Sequence, residues 1–362
     1  MEEYLYLRPT GFVDSPFGYD GKVLRLAGGL CWFGAIEAII VQGGRRVRHE
    51  LVPVERLDGW IDTLPSALAE QARATIARLT APRAPLTLGT RTIRLDQPQV
   101  MAILNVTPDS FSDGGAHGDP GEAGVQMLEA GAALIDVGGE STRPGATAVW
   151  EGDEIARVQP VVERLAAAGG CAVSIDTRKA SVAEAALAAG AGLVNDVSAG
   201  LYDPRMLALV AARGVPIVLM HHQGDPATMQ RDPHYADMLI EVYDWLEARI
   251  AAAEAAGIDR ARILIDPGIG FGKTIRHNLA LLNGVSLFHG LGCGIVLGVS
   301  RKRFIGALSG EAAVEQRLGG SVALATLAAA QGVQLLRVHD AFETVQALKV
   351  WRGLRDEALS PL

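Results

Sequence analysis

Between Gln99 and Asp340 the chain carries eight short apolar runs rich in β-branched residues, and each ends in polar or glycine-rich chemistry. In order they are VMAILNVT (100–107), ALIDVGGEST (133–142), CAVSIDTRK (171–179), GLVNDVSAG (192–200), PIVLMHH (216–222), ILIDPGIGFGK (263–273), GIVLGVSRK (294–302) and LLRVHD (335–340). Stretches with helical periodicity separate most of them, such as SVAEAALAAG (181–190) and EVYDWLEARIAAAEAAG (241–257). Strands alternating with helices build parallel βαβ units, and eight such units predict a closed (β/α)8 TIM barrel, an α/β fold. That fold builds its active site at the C-terminal strand ends. Here those ends carry Asn105, Asp136, Asp176, Asn195, His221, Asp266, Lys302, Arg337 and His339.

The 362 residues leave room beside a barrel of about 250 residues for a smaller N-terminal domain of about 100. Residues 1–85 are read as an N-terminal extension of unassigned role and 86–362 as the barrel. The extension holds the apolar run VLRLAGGLCWFGAIEAIIV (23–41), a basic patch at Arg45, Arg46 and Arg48, and a helix expected over SALAEQARATIARLT (66–80). APRAP (81–85) reads as a linker, because proline resists both helix and sheet. TLGTRTIRLDQPQ (87–99) is expected to form a hairpin closing the bottom of the barrel.

Composition narrows the function. A net charge of −8 offers no basic excess for nucleic acid, so an anionic substrate has to be met by local basic groups. The three cysteines, Cys31, Cys171 and Cys293, are odd in number and far apart. That fits a reducing cytosol better than a disulfide framework or a zinc site. The N-terminus lacks a basic stretch followed by an apolar one, and no apolar run reaches the roughly 18–20 residues of a membrane span. A soluble, cytoplasmic protein with no membrane partner is expected. DPGIGFGKT (266–274) is close to a phosphate-binding P-loop, but Pro267 stands where that pattern needs glycine.

Four strand ends suit a polar heteroaromatic ring: Asp176, Asn195, Asp266 and Lys302. A carboxylate accepts two N–H bonds side by side and so matches a 2-amino-4-oxopyrimidine edge. Such charge-assisted bonds contribute about 1.5–3 kcal/mol each. The Asn195 amide both donates and accepts, and Lys302 donates to a ring carbonyl. Any one of these alone reads equally well as a rim salt bridge or a cap; four together at strand ends point to a ligand. In RVHD (337–340), Arg337 and His339 lie two apart on a strand and face one side, as two donors for phosphate oxygens would. Arg-x-His alone is commonly an ordinary rim pair. Asn105 opens the loop NVTPDSFSDGG (105–115) and offers an amide oxygen to a hard cation such as Mg2+, or serves simply as a turn residue. His221 and His222 are adjacent and so point opposite ways, one toward the site and one outward.

These segments, in this order, resemble the dihydropteroate synthases, the pterin-binding barrels of folate biosynthesis. NVTPDSFSDGG and IDVGGESTRPGA are the most specific, and SIDT, NDVS, MH-x-QG-x-P, DPG-x-GFGK, SRK and RVHD agree with them. The resemblance runs from about Leu95 to Leu354 and does not reach the N-terminal extension. It implies condensation of (7,8-dihydropterin-6-yl)methyl diphosphate with 4-aminobenzoate, with Mg2+ as cofactor, small-molecule substrates as partners and a homodimer as assembly. It further implies that Asp176, Asn195, Asp266 and Lys302 hold the pterin, and that Thr142, Arg337 and His339 bind diphosphate. By the same resemblance Asn105 contacts Mg2+, and Phe111, Arg143, Pro144 and Phe271 frame the aminobenzoate. The catalytic set implied is Asn105, Asp176, Lys302, Arg337 and His339. Arg303 follows Lys302 where some relatives have serine, which leaves the aminobenzoate carboxylate contact open. Two other readings share the barrel: a methyltetrahydrofolate-dependent methyltransferase, which has no use for diphosphate, and a pterin-binding paralogue without turnover.

Overall fold

An antiparallel sheet opens the chain: β1 (Glu3–Val13), β2 (Leu24–Arg25), β3 (Trp32–Gln42) and β4 (Arg45–Pro53), with β3 pairing the other three. The computed structural model describes residues 3–106, 119–141, 149–168, 171–224 and 228–360. Leu5 and Leu7 face one way with their register partners Ile40 and Ala38, and pack on a helical layer of α1 (Leu57–Ile61) and α2 (Ser66–Thr80). Tyr6, Ile39 and Val41 face the other way and join the main core of the barrel. The alternation expected of a half-buried strand is therefore filled on both faces, because a second body covers the side that would otherwise be wet.

The proline-flanked APRAP is extended, yet it is no loose tether. Arg83 within it is buried, and its guanidinium donates to the carbonyls of Arg78, Ala81, His289 and Cys293 at 2.9–3.1 Å. Burial without an acid partner pulls its pKa down to about 10. The hairpin β5 (Leu86–Leu88) and β6 (Arg91–Ile93) follows.

All eight apolar runs form strands: β7 (Gln99–Asn105), β8 (Leu134–Gly138), β9 (Val173–Asp176), β10 (Leu193–Asp196), β11 (Ile217–Met220), β12 (Ile263–Asp266), β13 (Gly294–Gly298) and β14 (Leu335–Val338). Each runs parallel to the next, and β14 returns to β7 with Leu335 opposite Gln99, which closes the barrel. Helices follow the strands: α3 (Pro120–Glu129), α4 (Glu151–Ala167), α5 (Ala180–Ala188), α6 (Met206–Arg213), α7 (Met238–Ala255) and α8 (Ile275–Asn283) after β7 to β12 in turn. After β13 come α9 (Arg303–Leu308) and α10 (Leu318–Ala330), and α11 (Ala341–Ala358) ends the chain. The fold is a (β/α)8 barrel with a smaller N-terminal sheet-and-helix region. Among the described residues, no helix is long and apolar enough to cross a membrane.

Candidate active site

Side chains alternate along a strand, so each barrel strand sends every second residue inward. The bottom inner layer is apolar: Met101, Leu134, Ala172, Leu193, Val218, Leu264, Val296 and Leu335 cluster with Leu86, Leu88, Ile93 and Leu95. The hairpin is thus the plug in the barrel floor. Two residues further along the strands the interior changes character. Asp136, Ser174, Asn195, Asp266 and Arg337 now point inward. Another two along, Asn105 and Asp176 reach the mouth on either side of Gly138, which is in register with both. A Cβ on Gly138 would lie 3.5 Å from the Asp176 Cβ and 3.8 Å from Asn105 Oδ1. Glycine there keeps that corner open.

Arg337 is the hub of this layer. Its Nε donates to Asp136 Oδ2 at 2.6 Å and its Nη2 to Asp176 Oδ2 at 2.5 Å. Asn195 Nδ2 donates to the same Asp136 oxygen at 3.0 Å, which fixes the amide plane. The other oxygens, Asp136 Oδ1 and Asp176 Oδ1, are buried and accept nothing from the protein. A buried acceptor left without a donor costs about 1–3 kcal/mol, and a ligand N–H placed there removes that cost. Burial pushes the Asp176 carboxyl up to about 7, against the pull of Arg337 and with further upward pressure from Asp136.

Asp266 lies at the end of β12, its Oδ1 held by the Gly268 N–H at 2.7 Å. Burial raises its pKa, while that N–H and the charges of Lys302 and Arg337 oppose the rise. Gly268 sits at φ +69°, and a Cβ there would be 1.8 Å from the His221 carbonyl oxygen, so only glycine closes this turn. Phe271 follows in the same loop, and Lys302 Nζ stands 4.4 Å above its ring centre. His339 is held by Ser300: the Ser300 hydroxyl is 3.1 Å from His339 Nδ1 and accepts the His339 backbone N–H at 3.2 Å. Arg301 pairs with Asp340 and ties together the segments that follow β13 and β14.

The structure therefore brings together Asn105, Asp176, Asn195, Asp266, Lys302, Phe271, Arg337 and His339 at one end of the barrel. Phe111, Thr142, Arg143 and Pro144 lie outside the described residues. Of the adjacent histidines, His221 packs outward, edge-on to Trp245 with ring centres 4.9 Å apart. Its Nδ1 is 2.8 Å from Lys273 Nζ, and burial with that neighbouring charge drives its pKa down to about 2. The neutral ring nitrogen accepts a hydrogen bond from Lys273 Nζ. Burial likewise pulls Lys273 well below the usual lysine range. His222 is half-buried, its Nδ1 on the Gly224 carbonyl at 3.1 Å and its Nε2 unpartnered. Sequence reasoning gave no role to Asp136, Lys273 or Ser300. Asp136 stands among the strand-end residues, two after Leu134 on the inward face of β8, but the sequence assigns it no task there.

Residues 101–339 match the family model described as pterin binding enzyme, and the chain belongs to that family. Among its relatives the chain is similar to the dihydropteroate synthases. It is 46% identical to that of Escherichia coli (strain K12) over 259 residues, 71% of this chain and 91% of the relative. It is 49% identical to that of Mycobacterium leprae (strain TN) over 261 residues, 70% of this chain and 92% of the relative. The solved Xanthomonas albilineans dihydropteroate synthase with 4-aminobenzoic acid superposes with a TM-score of 0.70 at 51% identity, over 75% of this chain and 98% of that one. The same enzyme in complex with 7,8-dihydropteroate superposes with a TM-score of 0.68 at 48% identity, over 75% of this chain and 99% of that one. The relatives are matched almost end to end, and about a quarter of this chain is additional to them.

Proposed function

We infer that the chain is a dihydropteroate synthase, a transferase of folate biosynthesis that joins (7,8-dihydropterin-6-yl)methyl diphosphate to 4-aminobenzoate. The arylamine nitrogen attacks the pterin methylene, the carbon–oxygen bond to diphosphate breaks, and the amine proton leaves to solvent. The observation that carries this reading is the pair of buried, unpartnered carboxylate oxygens on Asp136 and Asp176, set in the inner polar layer with Asn195 and Asp266. The Asp176 oxygen is an acceptor for an N–H of a pterin, and Asp136 adds negative charge behind it.

Asp176, Asn195, Asp266 and Lys302 hold the pterin, with Asp136 fixing the Asn195 amide. Arg337 has Nε and Nη2 engaged by carboxylates, which leaves Nη1 for a diphosphate oxygen; His339 is assigned to the same group, as is Thr142 by the family resemblance. Phe271, with Phe111, Arg143 and Pro144, frames the aminobenzoate. A neutral arylamine needs no strong base, so the residues contribute positioning and charge complementarity. The catalytic set is Asn105, Asp176, Lys302, Arg337 and His339.

Mg2+ fits this mouth in one specific way. Among the described residues no group of three His, Cys, Asp or Glu could hold a metal. A metal here would be carried by diphosphate and water, with the Asn105 amide oxygen as a protein ligand, the oxygen-rich and water-rich environment Mg2+ prefers. When bound it supplies neutralising charge for the departing diphosphate. Excess EDTA suppresses turnover if this holds, and full activity in EDTA removes the metal from the account.

A homodimer is supported by Leu327, Phe342, Val350 and Leu354, four large apolar side chains exposed on α10 and α11. Sedimentation at two ionic strengths tests it. A cytoplasmic setting is supported by three free thiols, and fractionation of cells tests that. Growth of a strain lacking its own synthase, restored by this chain without added folate, tests the function as a whole.

A further inference from the structure

The relatives account for the barrel and leave the N-terminal sheet without a role. It packs on the segment Val285–Leu291 that precedes β13, and two of its side chains also reach α7, the helix after β11. Tyr6 Oη donates to Asp244 Oδ1 at 2.7 Å, and its ring meets Tyr243 edge-on with centres 5.4 Å apart. At the start of the same helix, Arg46 of β4 makes a two-pronged pair with Asp237, Nη2 to Oδ1 at 3.0 Å and Nε to Oδ2. That contact pulls the carboxyl of Asp237 below its ordinary range. Asp237 is the N-cap of α7: its Oδ1 accepts the Ile240 N–H at 3.4 Å, and its own N–H goes to Glu241 Oε1 at 2.8 Å.

The residues just before Asp237 reach the loop that follows β12. Tyr235 Oη donates to the Gly272 carbonyl at 3.0 Å, and Gln230 Nε2 donates to the Gly270 carbonyl. The Tyr235 ring is wedged between His221 and His277, with centres 6.0 and 5.0 Å away. Gly270 and Gly272 flank Phe271, the residue under Lys302. A continuous path of contacts and short backbone therefore runs from Arg46 through Asp237, Tyr235 and Gly272 to Phe271.

We propose that Arg46 is a positioning residue for the aminobenzoate side of the site, and that the N-terminal sheet acts through it as a brace. By holding Asp237 it fixes the register of the segment whose two donors clamp the carbonyls on either side of Phe271. The proposal rests on the assignment of Phe271 to the aminobenzoate, and the experiment separates the two. Arg46 is half-exposed, and a surface ion pair contributes little to global stability, so its loss leaves the fold intact.

The test uses the full chain, with steady-state kinetics in both substrates for Arg46→Ala, Arg46→Lys, Asp237→Asn, Phe271→Ala and Arg48→Ala. Arg48 lies on the same strand but pairs with Glu50, so its variant controls for charge alone. Arg46→Ala and Asp237→Asn each raise KM for 4-aminobenzoate roughly three- to tenfold, with no added effect when combined. The pterin KM and the melting temperature stay near those of the parent, Arg46→Lys recovers part of the loss, and Arg48→Ala changes nothing. An unchanged aminobenzoate KM in Arg46→Ala and Asp237→Asn, with a raised one in Phe271→Ala, overturns the brace and leaves the site reading standing. An unchanged KM in Phe271→Ala overturns the site assignment, and the brace with it. Equal effects from Arg46→Ala and Arg48→Ala show a general charge effect and also overturn it. If Arg46→Ala fails to fold, Asp237→Asn, which keeps a capping oxygen, decides alone.

Discussion

Arg337 Nη2 lies 2.5 Å from Asp176 Oδ2, and through Nε the same guanidinium holds Asp136 at 2.6 Å. One partly buried cation thus serves two buried acids, and each acid keeps a second oxygen free of protein donors. The arrangement presents negative charge to a ligand without leaving that charge uncompensated.

This makes pterin affinity pH-dependent. Burial raises Asp176 to about 7, so below that pH the free protein holds a proton that must leave before the carboxylate can accept two N–H bonds. Affinity for a dihydropterin lacking diphosphate is fully developed above pH 7 and falls as the pH drops, by up to about tenfold per unit. Calorimetry between pH 5.5 and 8.5 reads it, and Asp176→Asn flattens the curve. Asp266→Ala weakens the same binding by about 1.5–3 kcal/mol at any pH above neutrality. A flat profile in the parent protein rejects Asp176 as a pterin ligand.

Removing Arg337 has two consequences of different kinds. Arg337→Ala leaves Asp136 and Asp176 without their counter-charge and costs about 3–5 kcal/mol of stability, measured as a lower denaturation midpoint. It also removes most turnover. Arg337→Lys restores charge but not the fork, so stability recovers more than turnover does. Equal recovery of both confines Arg337 to a structural role.

The turn after β12 tolerates no side chain at Gly268. Its positive φ and the 1.8 Å approach of a Cβ to the His221 carbonyl mean that Gly268→Ala must move the loop that anchors Asp266. The expected result is loss of pterin binding with a stability loss above about 1 kcal/mol. Wild-type affinity in a folded Gly268→Ala variant contradicts the geometry.

A chain beginning at Pro85 keeps every described site residue but loses Tyr6, Ile39 and Val41 from the barrel core and the Arg83 bonds to Cys293 and His289. Newly exposed apolar surface lowers its solubility and melting temperature. It retains pterin binding and measurable turnover, read as specific activity of the soluble fraction. A truncated protein that melts normally and turns nothing over places catalysis partly in the first 84 residues.

The barrel was legible because its strands are local events: eight apolar runs, each with its polar end, show without any knowledge of neighbours. The helix at 66–80 and the hairpin after Leu86 were legible for the same reason. What stayed hidden is non-local. Period two puts Arg337 and His339 on the inward side, but closure of the barrel decides that Arg337 meets acids 161 and 201 residues earlier in the chain. Likewise, nothing in the alternation of β1 marks Tyr6 for the barrel surface rather than for water. The apparent linker at 81–85 hid a buried arginine, because its bonds go to carbonyls, and carbonyls have no sequence signature.

The most direct test of the central claim is product formation by the purified full chain. With (7,8-dihydropterin-6-yl)methyl diphosphate, 4-aminobenzoate and Mg2+, the protein yields 7,8-dihydropteroate and diphosphate in equal amounts, with no diphosphate release when 4-aminobenzoate is omitted. Asp176→Ala abolishes the signal. Pterin binding without product, or methyl transfer from methyltetrahydrofolate to a corrinoid in its place, contradicts it.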